Sequence, residues 1–120
     1  MTDPASSKPI LFLLEREFED PALDGQRFFC RHSLLLEGAL ASLPGLHERL
    51  EVRRIGFARP RHEVIGAVGE ADQSLPKLVL PSEVRSARAN GEHASRQYVS
   101  GSENILAALG ELYGIAQAHP

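Results

Sequence analysis

The residue whose chemistry stands out is Cys30, the one cysteine of the chain. It follows Phe28 and Phe29 and directly precedes a segment with helical spacing that begins at Arg31. Unpaired backbone N–H groups and the positive end of the helix dipole favour a thiolate at such a position. Ser33 is placed to donate a hydrogen bond to the sulfur. The alternative, which stays open, is that Cys30 packs as a small apolar side chain, because free cysteines are often buried.

Other reactive side chains form weaker patterns. His32 is near Cys30 in sequence, but its position on the helix directs the two side chains apart, and the remaining histidines form no cluster with metal-ligand spacing. No metal site is expected. Arg27 and Arg31 add positive charge beside the cysteine. We interpret Arg59-Pro60-Arg61 as a solvated charged loop rather than an anion site.

The composition indicates one globular domain. A chain of 120 residues suits a single domain, here 1–120, with residues 1–9 as a loose arm. The net charge is -3, and 13 Lys and Arg are scattered among 16 acids, so nucleic acid is not an expected partner. The apolar run Ile10–Leu14 is too short for a signal peptide or a membrane span. One cysteine allows no internal disulfide, so we expect a reducing compartment, the cytoplasm.

Hydrophobic spacing predicts an α/β fold. A continuous apolar run predicts a first strand covered on both faces, and a strand, helix, strand unit requires a parallel pair with a right-handed crossover. An antiparallel hairpin is expected at the other edge. The predicted strands are Ile10–Leu14, Leu50–Ile55, Lys77–Leu80 and a weak one at Tyr98–Val99. The predicted helices run from Arg31 to before Pro44, from Pro60 to an end at Gly69, and from a capping box of Ser100 and Glu103 to an end at Gly114. A charged connection spans 15–26, and a turn is predicted at Asn90–Gly91.

This order, with three local motifs, resembles the thioredoxin-like superfamily, in particular glutaredoxins and the amino-terminal domains of glutathione transferases. The motifs are Cys30-x-x-Ser33, Leu75-Pro76 before the third strand, and Ser100-Gly101-Ser102-Glu103 before the last helix. The chain also resembles a bacterial family of thioredoxin-like domains of unknown function, through Phe18-Glu19-Asp20-Pro21, the segment from Gly25 to Cys30, and Gln73-Ser74-Leu75-Pro76.

The resemblance implies a three-layer sandwich with a mixed four-stranded sheet, β-α-β-α-β-β-α, and a glutathione site. A cis bond at Leu75–Pro76 would face the sulfur and turn the backbone of Leu75 toward an extended peptide; the alternative is an ordinary trans proline. The helix start at Ser102 and Glu103 would hold the γ-glutamyl end of glutathione; the alternative is capping alone.

Three departures from those families matter. The connection from Leu14 to Cys30 is much longer than in glutaredoxins, Ser33 excludes an intramolecular dithiol cycle, and Gly101 stands where glutathione transferases have an acid.

The leading hypothesis is a monothiol thiol–disulfide oxidoreductase. Cys30 is its nucleophile, Ser33 tunes the sulfur, and the partner is a small thiol or a protein thiol. The rival is a non-catalytic module that binds a partner or forms a homodimer, since fold does not dictate function. A flavodoxin-type protein ranks last, because the connection 15–26 has too few glycines to cradle a phosphate.

Overall fold

A computed structural model of the protein describes residues 8–120. Most of the predicted arm, residues 1–7, lies outside the described residues. Pro9, which belongs to the predicted arm, is buried, and its carbonyl accepts a hydrogen bond of 2.9 Å from Glu51 N. Pro9 is therefore attached to the sheet, and the prediction of a loose arm is wrong at this residue.

The described chain contains seven strands and four helices, of which the first strand and the first helix begin where the sequence predicts. The strands are β1 (Ile10–Leu14), β2 (Phe18–Glu19), β3 (Arg27–Phe28), β4 (Glu51–Ile55), β5 (Lys77–Val79), β6 (Gly91–His93) and β7 (Arg96–Ser100). The helices are α1 (Arg31–Ser42), α2 (Leu46–Arg49), α3 (His62–Val68) and α4 (Ser102–Tyr113).

Five of the strands form one mixed sheet in the order β4-β1-β5-β7-β6. β1 and β4 are parallel, with Leu14 opposite Ile55. β5 is antiparallel to both neighbours, so that Lys77 lies opposite Phe12 on one side and Ser100 on the other. The predicted sheet of four strands is therefore wrong by one strand, because β6 extends it beyond β7.

Helices cover both faces of the sheet because β1 is apolar at every position. Leu11 and Leu13 face α1 and α4, where they pack with Leu36, Leu40, Ile105 and Leu109. Ile10 and Phe12 face α3 and pack with Val64, Val68 and Val79. All five residues of β1 are buried, as expected of a central strand covered on two sides.

The long connection before Cys30 is not a plain loop. β2 and β3 pair as a two-stranded antiparallel ribbon, with Phe18 opposite Phe28. Neither strand has more than two residues, so no alternation pattern could reveal it. α2 has four residues, about one turn, which is too short to show a helical repeat in the sequence. α3 begins at His62 rather than at Pro60.

The carboxyl-terminal hairpin differs from the prediction in its turn. Ala94 and Ser95, with φ of 50° and 68°, form the turn between β6 and β7, as a two-residue hairpin turn requires. Asn90-Gly91, the predicted turn, leads into β6 instead. Ser100 belongs to β7, which is five residues long rather than a weak two-residue strand.

Candidate functional site

The carboxyl ends of β1 and β4 lie together at one edge of the sheet, the edge at which the strands end. The start of α1 is hydrogen-bonded to the end of β1. Ser33 Oγ, in the first turn of α1, accepts a hydrogen bond of 3.1 Å from Leu14 N at the end of β1. Glu15 N extends the parallel ladder by donating to Ile55 O at 2.9 Å. Ligands of open α/β sheets bind outside the carboxyl ends of the strands, so this edge is the candidate site.

Cys30 is the N-cap residue of α1, and its sulfur is the capping group. Sγ accepts a hydrogen bond of 3.4 Å from Ser33 N, and the Cys30 carbonyl accepts one of 2.9 Å from Leu34 N. The residue is half-buried. A thiolate accepts such a bond more strongly than a thiol does, and the positive end of the helix dipole adds to the effect. The position is suited to a nucleophilic sulfur.

Ser33 contacts the sulfur differently from the way we predicted. Its side chain is buried, and the hydroxyl is the acceptor for Leu14 N, whereas the hydrogen bond to Cys30 Sγ comes from the Ser33 backbone. The side chain of Ser33 therefore anchors α1 to β1. It acts on the sulfur through the position of the helix and not through the predicted hydroxyl donor.

A small recess of about 10 Å³ adjoins Cys30, at the lower limit for one water molecule. Its charged lining includes Arg16 and Glu37. Arg54 donates two hydrogen bonds of 2.8 Å to the Glu37 carboxylate, and Arg16 lies 3.7 Å from it. The bonds from Arg54 are the main cause of the lowered pKa of Glu37, against the opposing effect of burial. Glu37 is thus a carboxylate shared by two arginines, and a poor proton acceptor.

Arg61 is buried, with 5% of its surface exposed, so the prediction of a solvated loop is wrong at this residue. Nε and Nη2 donate to Phe57 O at 3.2 and 2.7 Å, and Nη1 donates to Gln73 O at 2.9 Å. The Gln73 side chain in turn accepts from Arg61 N at 2.9 Å. One guanidinium therefore joins the loop after β4 to the loop before β5. No periodic pattern in the sequence could have indicated this burial.

Within residues 8–120, Arg61 takes part in no salt bridge, so its positive charge has no carboxylate partner there. Burial lowers the pKa of Arg61, the charge of Arg59 lowers it further, and the Cys30 sulfur raises it. Arg61 is the N-cap residue of α3 and follows β4, whose end lies beside the end of β1 to which Ser33 is bonded, so Arg61 and Cys30 lie at the same end of the sheet. The exposed arginines Arg16 and Arg27 are paired with Glu37 and Glu17.

Leu75 and Pro76 lie at the same edge of the sheet as Cys30. Continuing the antiparallel register of β5 with β1 by two residues brings Pro76 beside Leu13 and Leu75 beside Leu14. The Leu75–Pro76 peptide bond is cis, as is Arg59–Pro60. Pro76 is buried, Leu75 is half-buried, and the N–H and C=O of Leu75 make no hydrogen bond within the described chain.

The loop before Leu75 is held by a buried lysine that the sequence did not single out. Lys77 Nζ donates to Ser74 O at 2.8 Å and to Ser74 Oγ at 2.9 Å, and it lies 3.1 Å from Asp72 Oδ2. The Lys77 side chain is fully buried. The hydrogen bond from the Ser74 hydroxyl, followed by weaker contributions from the Ser74 amide and Lys77, lowers the pKa of Asp72 to about 2.

Ser102 and Glu103 also lie at this edge, because Ser100 at the end of β7 is opposite Lys77. The predicted capping box is absent, since Gly101, with a φ of 89°, is the N-cap residue and no side chain caps α4. Ser100 cannot take that part because it belongs to β7 and its N–H donates to Asn90 Oδ1 at 2.7 Å. Ser102 is buried and Glu103 is exposed.

The ribbon before Cys30 is attached to the loop after β4 by aromatic packing. The rings of Phe18 and Phe57 are stacked with centroids 4.7 Å apart, and Phe28 lies 6.5 Å from Phe18 on the opposite strand of the ribbon. Arg61 lies 5.7 Å from the centroid of Phe57. The residues Phe18, Phe57 and Arg61 therefore form one packed unit on the approach to Cys30.

The model of the family described as "Protein of unknown function (DUF3088)" matches residues 8–117. The chain belongs to this family. The match includes the elements from β1 to α4. The comparisons with curated proteins and with solved structures found no match.

The predicted site residues of this DUF3088 domain fall on one edge of its sheet. Cys30 and Ser33 follow β1, Leu75 and Pro76 precede β5, and Ser102 and Glu103 follow β7. Sequence reasoning missed Arg61, Phe18 and Phe57 as parts of this neighbourhood. Within residues 8–120, no group of three or more metal-ligating side chains could hold a metal ion, and no helix is long and apolar enough to cross a membrane.

An apolar groove of about 620 Å³ adjoins the site along the outer face of α1. Leu34 and Leu35 are 48% and 46% exposed there, and Leu34 also lines the recess beside Cys30. Arg31 is the one charged side chain that lines the groove in the described part of the chain. We call the surface formed by Leu34, Leu35, Leu43, Leu106 and Ala116 the α1 groove.

Proposed function

We propose that the protein is a thioredoxin-like, glutathione-dependent thiol–disulfide oxidoreductase of the monothiol type, with Cys30 as its nucleophile. It would work in a reducing compartment such as the cytoplasm. The observation that carries the proposal is the meeting of three segments at one sheet edge: the sulfur-capped start of α1, the unpaired backbone of Leu75, and the start of α4 at Ser102.

The dimensions of this edge support a tripeptide ligand. Neighbouring strands are about 4.8 Å apart, so β1 and β7, the neighbours of β5, are separated by about 10 Å. Three extended residues span about 10 Å. Glutathione lying across β5 would place its sulfur toward Cys30 and its γ-glutamyl carboxylate toward the free N–H groups of Ser102 and Glu103. Its cysteinyl backbone would pair with the N–H and C=O of Leu75.

The reaction proposed is a thiol–disulfide exchange in two steps. The Cys30 thiolate attacks the glutathione sulfur of a mixed disulfide; a Cys30–glutathione disulfide forms, and the other thiol leaves as a thiolate that takes up a proton. A second glutathione thiolate from solution then attacks the glutathione sulfur of that disulfide. This step releases oxidised glutathione, which contains one glutathione from the substrate and one from solution, and it restores the Cys30 thiolate. The disulfide bond thus passes from the substrate to glutathione, and the glutathione thiol from solution is the reductant.

Intact-protein mass spectrometry tests this proposal directly. We expect oxidised glutathione to convert the wild type to a mixed disulfide at Cys30, reduced glutathione to reverse it, and Cys30→Ser to stay unmodified. Calorimetric titration of Cys30→Ser with reduced glutathione tests the ligand position. Adding Glu103→Gln keeps the backbone N–H groups and removes a negative charge beside the γ-glutamyl carboxylate, so it should strengthen binding, whereas Glu83→Gln, at an exposed acid outside this edge, should leave binding unchanged. If no mixed disulfide forms and no glutathione binds, the proposal is wrong.

A second candidate function, self-association, is favoured by the exposed leucines of the α1 groove. Contiguous exposed apolar surface on a helix marks an interaction site more often than scattered single residues do. Sedimentation of the wild type and of Leu35→Asp separates the two functions: a dimer that the substitution dissociates, together with a Cys30 that oxidised glutathione does not modify, would support self-association alone.

A further inference from the structure

We propose that Arg61 is a positioning residue that supplies the fixed positive charge of the Cys30 site, and that the site therefore selects anionic thiols and disulfides. The inference deepens the proposed function and rests on Cys30 being the reactive atom. It is carried by the burial of Arg61, by its bonds to two loops that flank the site, and by the lack of a carboxylate partner.

Burying a guanidinium without a counter-charge costs free energy, because neutral carbonyls replace the hydration of a full positive charge only in part. Arg61 is 5% exposed and donates to the carbonyls of Phe57 and Gln73. Carbonyl acceptors take three hydrogen bonds from the guanidinium but leave the positive charge uncompensated. A thiolate or an anionic ligand at the neighbouring site would compensate it.

The position of this charge is fixed by the fold. Arg61 packs on Phe57, Phe57 stacks on Phe18, and the ribbon that carries Phe18 leads into Cys30. The loop bonded through Gln73 leads into Leu75 and Pro76. Arg61 thus contacts the loop that leads into Leu75 directly, and it is linked to the ribbon that leads into Cys30 through Phe57.

Other positive charges of this region are weaker sources of such a field. Arg54 is hydrogen-bonded to Glu37 and Arg27 is paired with Glu17, while Arg16 lies 3.7 Å from the same Glu37 carboxylate with 69% of its side chain exposed to water that screens its charge. Arg31 and Arg59 are exposed, so water and salt screen them. A buried charge acts through a lower dielectric and is screened much less. Arg61 is therefore the charge from which we expect the larger effect.

The ratio of two alkylation rates measures the potential at the sulfur. Iodoacetate is anionic and iodoacetamide is neutral, and both react only with the thiolate, so the ratio cancels differences in thiolate fraction. We expect the folded protein to give a ratio at least threefold above that of N-acetylcysteine, Arg61→Gln to lower it at least threefold, and Arg61→Lys to retain most of it. Arg59→Gln and Arg31→Gln are matched controls and should change it less than twofold.

A wild-type ratio equal to that of N-acetylcysteine would overturn the inference, even if Arg61→Gln fails to fold. So would an unchanged ratio in a folded Arg61→Gln, or a larger fall in Arg59→Gln or Arg31→Gln.

The substrate class is tested with three disulfides: dithiodipropionate, a dianion; hydroxyethyl disulfide, which is neutral; and cystamine, a dication. We expect their rates of reaction with Cys30 to decrease in that order. A protein with a high rate ratio that does not bind glutathione would disprove the proposed function and leave this inference standing.

Discussion

The hydroxyl of Ser33 and the backbone amide of Leu14 are joined by a hydrogen bond of 3.1 Å that links the first turn of α1 to the end of β1. Both groups are buried. The bond positions the helix start, and with it the amide that contacts Cys30 Sγ, relative to the sheet.

Ser33→Ala should lower the free energy of unfolding by about 1–3 kcal/mol, because the buried Leu14 N–H loses its acceptor. The rate of Cys30 alkylation by iodoacetamide should change less than about twofold, since the bond to the sulfur comes from the Ser33 backbone. Urea unfolding and alkylation kinetics check the two halves. Ser42→Ala, at an exposed position of the same helix, is the control for stability. A large loss of alkylation rate in a stable Ser33→Ala would contradict this assignment, because the backbone N–H alone would then not be enough to maintain the reactivity of the sulfur.

Protonation of Asp72 should make the protein less stable in acid. Its folded-state pKa is about 2, below the ordinary value of 3.8, so its stabilising effect is fully present above pH 3.8 and is lost as the pH falls toward 2. Asp72→Asn should lower stability at pH 7 by about 1 kcal/mol, a modest value because the side chain is 48% exposed.

Urea unfolding of wild type and Asp72→Asn at pH 7, 4 and 2.5 tests this. The difference between the two proteins should shrink between pH 4 and pH 2.5, and Asp24→Asn, an exposed acid, should show no such change. A constant difference across that range would contradict the role of the ionised carboxylate.

Gly101 should resist substitution because its φ is 89°, a region that side chains rarely adopt. Gly101→Ala should lower the free energy of unfolding by about 1–2 kcal/mol through backbone strain alone, since no atom lies within 4 Å of the added methyl group. Gly38→Ala is the matched control, because Gly38 is inside α1, with equal space around it and no positive φ. It should stabilise the protein by about 0.5–1 kcal/mol. Equal effects of the two substitutions would contradict the strain at Gly101.

The Phe18–Phe57 stack should couple the ribbon to the loop after β4. A double-mutant cycle with Phe18→Leu and Phe57→Leu should give an interaction energy of about 0.5–1.5 kcal/mol. The same cycle on Phe18 and Phe29, whose exposed ring has no aromatic pairing in the described chain, should give a value near zero. A zero value for the stacked pair would mean that the ribbon is held by other contacts.

The parts of the fold visible in the sequence are those governed by local pattern. The unbroken apolar run of β1 and the helical stripe of Leu36 and Leu40 predicted two buried elements at their observed positions. Ser100 shows the limit of such reasoning, because a sequence typical of a capping box is overridden by pairing with Lys77, a contact between strands distant in sequence.

The site divides in the same way. Cys30 was recognisable because the start of a helix is a local property. Arg61 was not recognisable, because its burial depends on contacts with Phe57 and Gln73, and Gln73 lies twelve residues away. The neutral acceptors of Arg61 are backbone carbonyls, which every residue has, so the sequence carries no mark of them.

The outer strands β4 and β6 carry their own protection against aggregation. Each has one side of unpaired backbone groups, which can recruit a strand from another molecule. β6 has three residues and presents Glu92 and His93, and β4 carries Arg53 and Arg54. A strand that added to either edge would have to desolvate these charged side chains or displace their ion pairs, Arg54 with Glu37 and Glu92 with Arg85, so growth of the sheet from molecule to molecule is opposed at both ends.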